Sequence, residues 1–345
     1  MIISHTQHPS VNTFYNHLSH IIMPVTTILL LRHGHRIAWI LDPTTGKYTS
    51  NHPYPTRLPA DPPLASHGVR QAQETAIHLS TLLRDKVRQD CLRVYSSLFY
   101  RCLETLKPTI DKLREVEGNA YTPSLLVRGE RGLGEWFGKA WFQQPVPADP
   151  GRLKRDYFPW IDDEYESRVL PNRFGERIPE LHDRIATALE RVVRDVDEEF
   201  EAMGRGEEDV TVLICGHAAQ IICSGRALTG FMPENPDTDD FKCFTCGLSK
   251  FMRRNKKNAS ANSLNDSIND SDWKTNGGVA GGWECVEDSD CSHLSQGKER
   301  GWHFHGDESF DSYGQASDIG PIISDGSLKP RIEDRSEYEA RGLKL

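Results

Sequence analysis

The chain has 345 residues, which is enough for one large domain or two small ones with a sizeable core. Its formal net charge is −9 and its basic residues form only short clusters, so direct binding to nucleic acid is disfavoured. No apolar run approaches the roughly 18–20 residues that a membrane span requires, so we expect no membrane association. The eight cysteines are scattered along the chain, which favours a reducing cytoplasmic or nuclear compartment.

Three segments are predicted to lie outside the folded core. Residues 1–22 lack the Lys and Arg of a secretory signal, and we interpret them as a disordered extension. Residues 253–278 begin basic and continue rich in Asn, Ser and Asp, a composition typical of a disordered insert. Residues 306–345 are interpreted as a polar, mobile tail. The sequence thereby predicts one domain over residues 23–252, completed by closing strands within 279–305.

The most informative stretch spans residues 26–36. A short apolar run predicts a buried strand of a parallel sheet, and it is followed by Arg32, His33, Gly34 and Arg36. Open α/β proteins keep their active sites at the carboxyl ends of such strands. Guanidinium groups suit an oxyanion such as phosphate, and a neutral imidazole between them is a nucleophile toward phosphorus. The alternative interpretation is a basic cap on a structural strand.

A loop, a helix and a second strand are predicted next. Residues 37–64 are rich in Pro, Thr, Asn and Asp and indicate a surface loop. Apolar steps of three and four residues predict a helix from Ser66, its N-cap, to Val87. Residues 92–98 predict a strand.

A second helix is predicted directly after that strand, and Pro108 should kink it or mark a helix start nearby. Arg101 lies at the junction between the strand and the helix, where free N–H groups favour an anion. The position of Arg101 is equally consistent with a side chain that only solvates the end of the helix.

The middle of the chain carries two carboxylates near a glycine-rich loop. Four glycines interrupt residues 127–138, so Glu130, Glu135 and Trp136 are predicted to lie in an irregular loop. Residues 140–172 are rich in Pro and aromatic residues and indicate an irregular excursion over the active-site face. This excursion is either a substrate lid or a packed surface loop.

The pattern of a buried strand ending in a histidine occurs a second time. The clearest helix of the chain is predicted over 175–203, and a β-branched strand follows over 210–216. That strand ends in Gly216 and His217, which repeats the setting of His33. A lone histidine after a strand is more often structural, but two histidines in the same setting favour a shared site.

The end of the chain is predicted to close the sheet. A short helix over 218–229, a strand over 241–252 and a hairpin of residues 282–286 with 301–305 are expected. Cys243 and Cys246 with two later cysteines were considered as a zinc site. The later pair has a spacing of five, which does not match a second Cys-x-x-Cys knuckle, so no metal is predicted.

The order of these motifs resembles the histidine phosphatase superfamily, which includes phosphoglycerate mutases and many phosphatases. The resemblance covers residues 26–230 and rests on Arg32-His33-Gly34, Arg36, Ser97-x-x-x-Arg101, Glu130-x-x-x-x-x-Trp136 and Gly216-His217. Further runs resemble a fungal branch related to the histidine-phosphatase-like subunit of transcription factor IIIC. These are Asp61-Pro62-Pro63-Leu64, Arg101-Cys102-Leu103-Glu104-Thr105 and the Gly-Gly-Trp that ends at Trp283.

The resemblance implies a three-layer α/β/α sandwich with a mostly parallel central sheet of the phosphoglycerate mutase kind. It implies that His33 becomes phosphorylated, that His217 completes the pocket and that Glu130 is the general acid and base, with Glu135 as the second candidate. It implies that the phosphoryl oxygens are bound by three arginines: Arg32, Arg36 and Arg101. A general acid active near neutral pH would need a raised pKa.

Two classes of function follow from the resemblance. The first is a metal-independent and cofactor-independent phosphatase that hydrolyses a phosphomonoester, of a small molecule or a protein, through phosphohistidine. Arg36 stands where the mutases carry Ser or Thr, which favours a phosphatase over a sugar-phosphate mutase. The alternative is a non-catalytic interaction subunit with protein partners in a nuclear complex.

Overall fold

The central sheet is built around β1 (Val25–Arg32), the apolar run that precedes His33, and all but one of its residues are buried. On one side β1 pairs in parallel with β7 (Val210–Gly216), and on the other it pairs antiparallel with β8 (Leu248–Arg253). The computed structural model describes residues 23–116, 118, 122–254, 273–306, 310 and 322–323.

Seven strands form this sheet in the order β6-β5-β4-β7-β1-β8-β9. The remaining members are β4 (Leu92–Ser96), β5 (Val127–Gly129), β6 (Ile161–Asp162) and β9 (Trp283–Asp290). The five strands from β6 to β1 run parallel, whereas β8 and β9 are antiparallel to their neighbours. The prediction of a mostly parallel sheet is therefore confirmed.

Helices cover both faces of the sheet, which confirms the predicted three-layer α/β/α sandwich. One face packs mainly against α1 and α3, and the other mainly against α5 and α6. Among the described residues no helix is both long and apolar enough to cross a bilayer. The bounds are α1 (Ser66–Leu82), α2 (Arg84–Arg88), α3 (Tyr100–Val116), α4 (Pro150–Asp156), α5 (Ile178–Ala202) and α6 (Ala218–Thr229).

The two central strands are apolar on both sides because each of their faces meets a different helix layer. In β1, Ile28 and Leu30 pack toward α5 and α6, whereas Leu29 and Leu31 pack toward α1 and α3. β7 alternates in the same way. The parallel register places Arg32 opposite Gly216, so the residues that follow both strands leave the sheet at the same edge.

A second, antiparallel sheet lies in the segment predicted to be an irregular loop over 37–64. It contains β2 (Ile40–Asp42), β3 (Lys47–Thr49) and β10 (Ile322–Ile323). Within the predicted mobile tail 306–345, β10 pairs with β2, and Phe310 bridges to Ala140. Nearly all the rest of that tail lies outside the described residues, as does the predicted extension 1–22.

Several predicted boundaries are wrong. The helix that begins at Ser66 ends at Leu82, and its N-cap position is Ala65, whose side chain cannot accept a hydrogen bond. α3 starts at Tyr100 and runs through Pro108 instead of restarting there. The missing N–H of Pro108 removes one helical hydrogen bond, and burial of the apolar face of α3 offsets this cost.

The predicted closing hairpin is also wrong. β9 pairs with β8, and residues 301–305 form no strand. β8 itself begins at Leu248, since the chain from 241 to 247 turns irregularly. Of the predicted insert 253–278, residues 255–272 lie outside the description, but Trp273 is buried against the helix layer of α5 and α6.

The excursion over 140–172 is more regular than predicted. It contains α4 and the edge strand β6, and its Phe158 and Trp160 are buried in the core beside α1 and α3. Its residues 144–147 and 171–172 line a cleft together with Ser97 and Glu135. The excursion is therefore anchored as part of the domain.

Candidate active site

His33 and His217 follow adjacent parallel strands and meet at the carboxyl edge of the sheet. The backbone N–H of His33 donates to the carbonyl of Gly216 over 3.0 Å, which locks the two strand ends together. The ring centroids of the two histidines lie 5.4 Å apart, edge to face, and both residues are buried. Two side chains that are distant in sequence thus border the same space.

The His33 ring is held as one neutral tautomer. Its Nδ1 lies 2.7 Å from the carbonyl oxygen of Gly34, so Nδ1 carries the proton and Nε2 keeps its lone pair. Burial lowers the pKa of His33 well below its ordinary value of 6.5, and the positive charges of Arg101 and His217 lower it further. An unprotonated Nε2 in this environment is a competent nucleophile.

Arg101 enters the cluster from the first turn of α3 and is completely buried. Its Nη2 donates to Glu135 Oε2 over 2.9 Å and lies 3.4 Å from Nδ1 of His217. Asp61 lies 3.5 Å from Nη1 and also accepts the backbone N–H of Tyr100 over 2.7 Å. Burial raises the pKa of Asp61 to about 6, although Arg101 opposes the rise.

His217 differs from His33 in its charge. Its Nδ1 lies 3.2 Å from Glu135 Oε2, and its Nε2 lies 2.8 Å from Oγ of Ser97. Burial lowers its pKa, but the Cys102 sulfur and the Glu135 carboxylate outweigh burial, so the pKa is raised above 6.5. The surroundings therefore favour the neutral form of His33 and the charged form of His217.

Glu135, rather than Glu130, is the carboxylate of this cluster. Burial raises its pKa, but His217 and Arg101 outweigh burial and hold the pKa well below its usual range. Pairing with two cationic groups favours the ionised carboxylate of Glu135, whereas a general acid active near neutral pH needs a raised pKa.

Glu130 is buried elsewhere and stabilises the loop. Its carboxylate accepts hydrogen bonds from the backbone N–H groups of Gly132, Arg168 and Val169 and from the Tyr165 hydroxyl, at 2.7–3.3 Å. Within the described chain, none of its hydrogen bonds reaches His33 or His217. Of the two carboxylates, Glu135, the second candidate, therefore contacts the histidine cluster, and Glu130 does not.

The other two predicted phosphate ligands are close to His33 but are held by other contacts. Arg32 donates through Nη1 to the backbone carbonyls of Cys243 and Arg300, each over 2.5 Å. The Arg36 guanidinium stacks 3.7 Å from the centre of the Trp39 ring. Both charges are near enough to lower the pKa of His33. Arg32 therefore also ties two later loops to the end of β1.

Two buried donors in the cluster lack a partner. The Nε–H groups of Arg32 and Arg101 are buried, and neither has a hydrogen-bond acceptor among the described residues. An unsatisfied buried guanidinium donor costs free energy, so an acceptor placed there is stabilised. Together with the His217 imidazolium, these groups form a site suited to an anion with several oxygens.

One group of side chains in the described chain is compact enough to hold a metal ion: His33, Glu135 and His217, whose ligand atoms lie within 4.8 Å of one another. The Arg101 guanidinium already forms an ion pair with Glu135, and the positive charges of the arginines around His33 disfavour binding of a metal cation. The electrostatics favour an oxyanion here. Among the cysteines weighed for zinc, Cys243 donates to the carbonyl of Trp302, whereas Cys246 and Cys291 share an apolar cluster.

Sequence reasoning missed the groups that position the cluster. Ser97 belongs to a motif of the resemblance that assigns it no role, yet its hydroxyl contacts His217. Asp61 belongs to a branch-specific run that assigns it no role, yet it pairs with Arg101. Trp39 had no signal beyond its aromatic character and supports both Arg36 and Arg101.

Comparison with known proteins places the chain in a family. The model of the histidine phosphatase superfamily (branch 1) matches residues 28–267. The transcription factor tau 55 kDa subunit of Saccharomyces cerevisiae is 30% identical over 295 residues, a match that covers 82% of this chain. The chain spans only 59% of the length of that relative.

Solved structures with a similar fold include phosphatases of low sequence identity. The ecdysone phosphate phosphatase of Bombyx mori, solved with tungstate, is 23% identical, has a TM-score of 0.45 and covers 72% of this chain and 99% of its own. A mycobacterial glucosyl-3-phosphoglycerate phosphatase is 18% identical with a TM-score of 0.40, covering 77% of this chain and 99% of its own. By the extent of the family match, the chain belongs to the histidine phosphatase superfamily.

Proposed function

We propose that the protein is a phosphomonoesterase that works through a phosphohistidine at His33. The observation that carries this proposal is the pairing of a neutral His33, with Nε2 free, and two buried guanidinium Nε–H donors that lack an acceptor. A phosphoryl group beside Nε2 would supply oxygens to these donors. Phosphoryl transfer depends mainly on such positioning and charge stabilisation.

In the first step Nε2 of His33 attacks phosphorus, and the bond from phosphorus to the leaving oxygen breaks. Arg32, Arg101 and the His217 imidazolium stabilise the charge on the phosphoryl oxygens. A bound phosphate group brings negative charge next to Glu135, which raises the pKa of this carboxyl relative to the empty site. Glu135 can then take the proton of a monoanionic ester and deliver it to the leaving oxygen.

In the second step a water molecule attacks the phosphorus of phosphohistidine. Glu135, now ionised, accepts a proton from the water as the new P–O bond forms and the P–N bond to Nε2 breaks. Inorganic phosphate leaves, His33 returns to its neutral form, and Glu135 releases its proton to the solvent. Gly34, which accepts from Nδ1, keeps the ring oriented through both steps.

The proposal is tested with a generic aryl phosphate in the presence of EDTA, on the wild-type protein and on His33→Ala. We expect metal-independent release of phosphate by the wild type and a loss of at least about 10³-fold in the variant. Hydrolysis in ¹⁸O-labelled water should place the label in phosphate, whereas a mutase would transfer the phosphoryl group without it. Equal turnover by His33→Ala would overturn the proposal.

A second candidate function is an interaction subunit of a nuclear complex. It is favoured by the 30% identity to the yeast transcription factor tau subunit. A nuclear location and protein partners are proposed on that basis, with no direct contact to nucleic acid. Copurification of the tagged protein with a multisubunit nuclear complex tests this candidate. If partners copurify equally with His33→Ala and neither protein hydrolyses phosphate esters, the interaction role stands alone.

A further inference from the structure

A cleft opens beside the histidine cluster. Ser97 and Glu135, which both contact His217, form part of its lining. The lining also includes residues 144–147 and 171–172 of the excursion, and residues 173, 175 and 176 that follow it. A phosphate ester bound at His33 would therefore project its leaving group into this cleft.

The uncompensated charge in the cleft is positive. The lining contains two acidic residues, but Glu135 is paired with Arg101 over 2.9 Å and Glu176 with Arg184 over 2.8 Å. It also contains Arg131 and Arg173.

Neither of these two arginines has a carboxylate partner. In the described part of the chain neither forms an ion pair, and the Arg173 guanidinium lies 5.5 Å from the ring of Phe174. The Nε–H of Arg131 is buried and has no acceptor among the described residues. The cleft thus presents two guanidinium groups whose charge a ligand would neutralise.

Much of the remaining lining is apolar and held in place. It includes Phe99 and Phe137, whose ring centroids lie 5.9 Å apart. It also includes the run Pro145-Val146-Pro147, whose prolines restrict the backbone. Gln144, next to this run, donates to the Gly138 carbonyl over 2.9 Å and accepts from the Tyr48 hydroxyl over 2.8 Å. A preformed apolar slot of this kind suits an apolar body.

We propose that Arg131 and Arg173 select phosphomonoesters whose leaving group joins an apolar body to a second anionic group. The inference rests on the proposed function, because it takes the His33 cluster as the place of the transferred phosphoryl group. The apolar body lies between the phenylalanines and the proline run. The second anion, a carboxylate or a further phosphate, neutralises the two guanidinium groups.

The test measures binding in His33→Ala, so that its result does not depend on turnover. Dissociation constants are determined by calorimetry for phenyl phosphate, 4-carboxyphenyl phosphate and benzene-1,4-diyl bisphosphate, and the last two distinguish a carboxylate from a second phosphate. We expect the better of the two doubly anionic probes to bind about tenfold more tightly than phenyl phosphate. Adding Arg131→Gln and Arg173→Gln should reduce this ratio to about twofold or less.

The matched control is Arg155→Gln, which removes one positive charge from an exposed residue outside the cleft. It should leave the ratio unchanged. Equal binding of all three probes, binding of none of them, or a ratio that survives both cleft substitutions would overturn the inference. The ratio of KM values in the wild type provides a second readout if His33→Ala proves unstable. If the doubly anionic probes bind more tightly but the wild type hydrolyses no phosphate ester, the proposed function is contradicted and the inference about binding is retained.

Discussion

The Glu135 carboxylate lies 3.2 Å from Nδ1 of His217, and the same oxygen accepts from Arg101 over 2.9 Å. One carboxylate oxygen thereby links an imidazolium and a guanidinium that come from different parts of the chain. Both contacts stabilise the ionised form of Glu135, which explains why burial fails to raise its pKa. A phosphoryl group bound as proposed would compete for the same two cations, and this competition would couple ligand binding to the proton on Glu135.

Glu135→Gln and Glu130→Gln should separate catalysis from stability. An amide at 135 cannot transfer a proton, so we expect turnover of an aryl phosphate with a poor leaving group to fall about 10²–10⁴-fold. An amide at 130 replaces an acceptor of the loop N–H groups by a donor, which should cost about 1–3 kcal/mol in the free energy of unfolding. Steady-state kinetics and urea denaturation provide the two readouts. A larger loss of turnover in Glu130→Gln, with stability unchanged, would reverse the assignment.

The pH dependence of turnover should reflect the titration of His217 rather than that of His33. His33 must be neutral to attack, and its lowered pKa keeps it neutral throughout the region above pH 6.5. His217 must be charged to bind phosphoryl oxygens, and its pKa is raised, so activity should fall as pH rises through that pKa. His217→Asn should reduce the rate by about 10²-fold and remove this alkaline limb, leaving only the titration of the substrate. A wild-type profile whose alkaline limb is unchanged in the variant would contradict the assignment.

Asp61 should make the folded state less stable as pH rises from about 4 to about 6. Its pKa is about 6 in the folded state against an ordinary 3.8, so between these values the folded protein holds a proton that the unfolded chain releases. Relative to Asp61→Asn, the wild type should therefore lose about 1–3 kcal/mol of unfolding free energy across this interval. Urea denaturation at several pH values measures the difference. A difference that grows in favour of the wild type with rising pH would refute the shift.

Gly68 of α1 packs so closely against the chain that leaves β1 that a side chain at position 68 should destabilise the fold. A Cβ built there would lie 2.0 Å from the carbonyl oxygen of His35, which is backbone and cannot turn aside. Gly68→Ala should cost about 1–3 kcal/mol or more in unfolding free energy and disturb the chain that follows His33. Gly151→Ala is the control, since the nearest atom is a side-chain oxygen at 3.2 Å and a helical alanine is favourable. Similar denaturation midpoints for both variants would argue against the close backbone contact.

The elements that carry the two histidines could be predicted because the apolar runs before them are long and continuous. Both runs are buried on two faces, so the pattern indicates a central parallel strand and places the following residue at the active edge. The pairing of β9 with β8 could not be predicted, because the insert separates the two strands in the sequence. In β9, buried and exposed residues also follow each other without a regular alternation. β6, with two residues, is too short for any periodicity.

The choice between Glu130 and Glu135 was also beyond the sequence. The two residues are separated by a short 3-10 helix, Arg131–Leu133, within a run of glycines. The direction of each side chain depends on the backbone angles of that turn, which composition does not determine. Asp61 and Ser97 show the same limit, because their contacts with Arg101 and His217 are long-range hydrogen bonds without a local pattern.

The most direct test of the central claim is to trap the covalent intermediate. The protein is mixed with an aryl phosphate, quenched in alkali within milliseconds to preserve phosphohistidine, digested and analysed by mass spectrometry. We predict a phosphoryl group on the peptide that contains His33, formed and consumed at rates consistent with turnover. It should accumulate further in Glu135→Gln when the aryl leaving group departs without a proton. Turnover with unmodified His33 in every sample, or a phosphoryl group carried on His217 instead, would contradict the account.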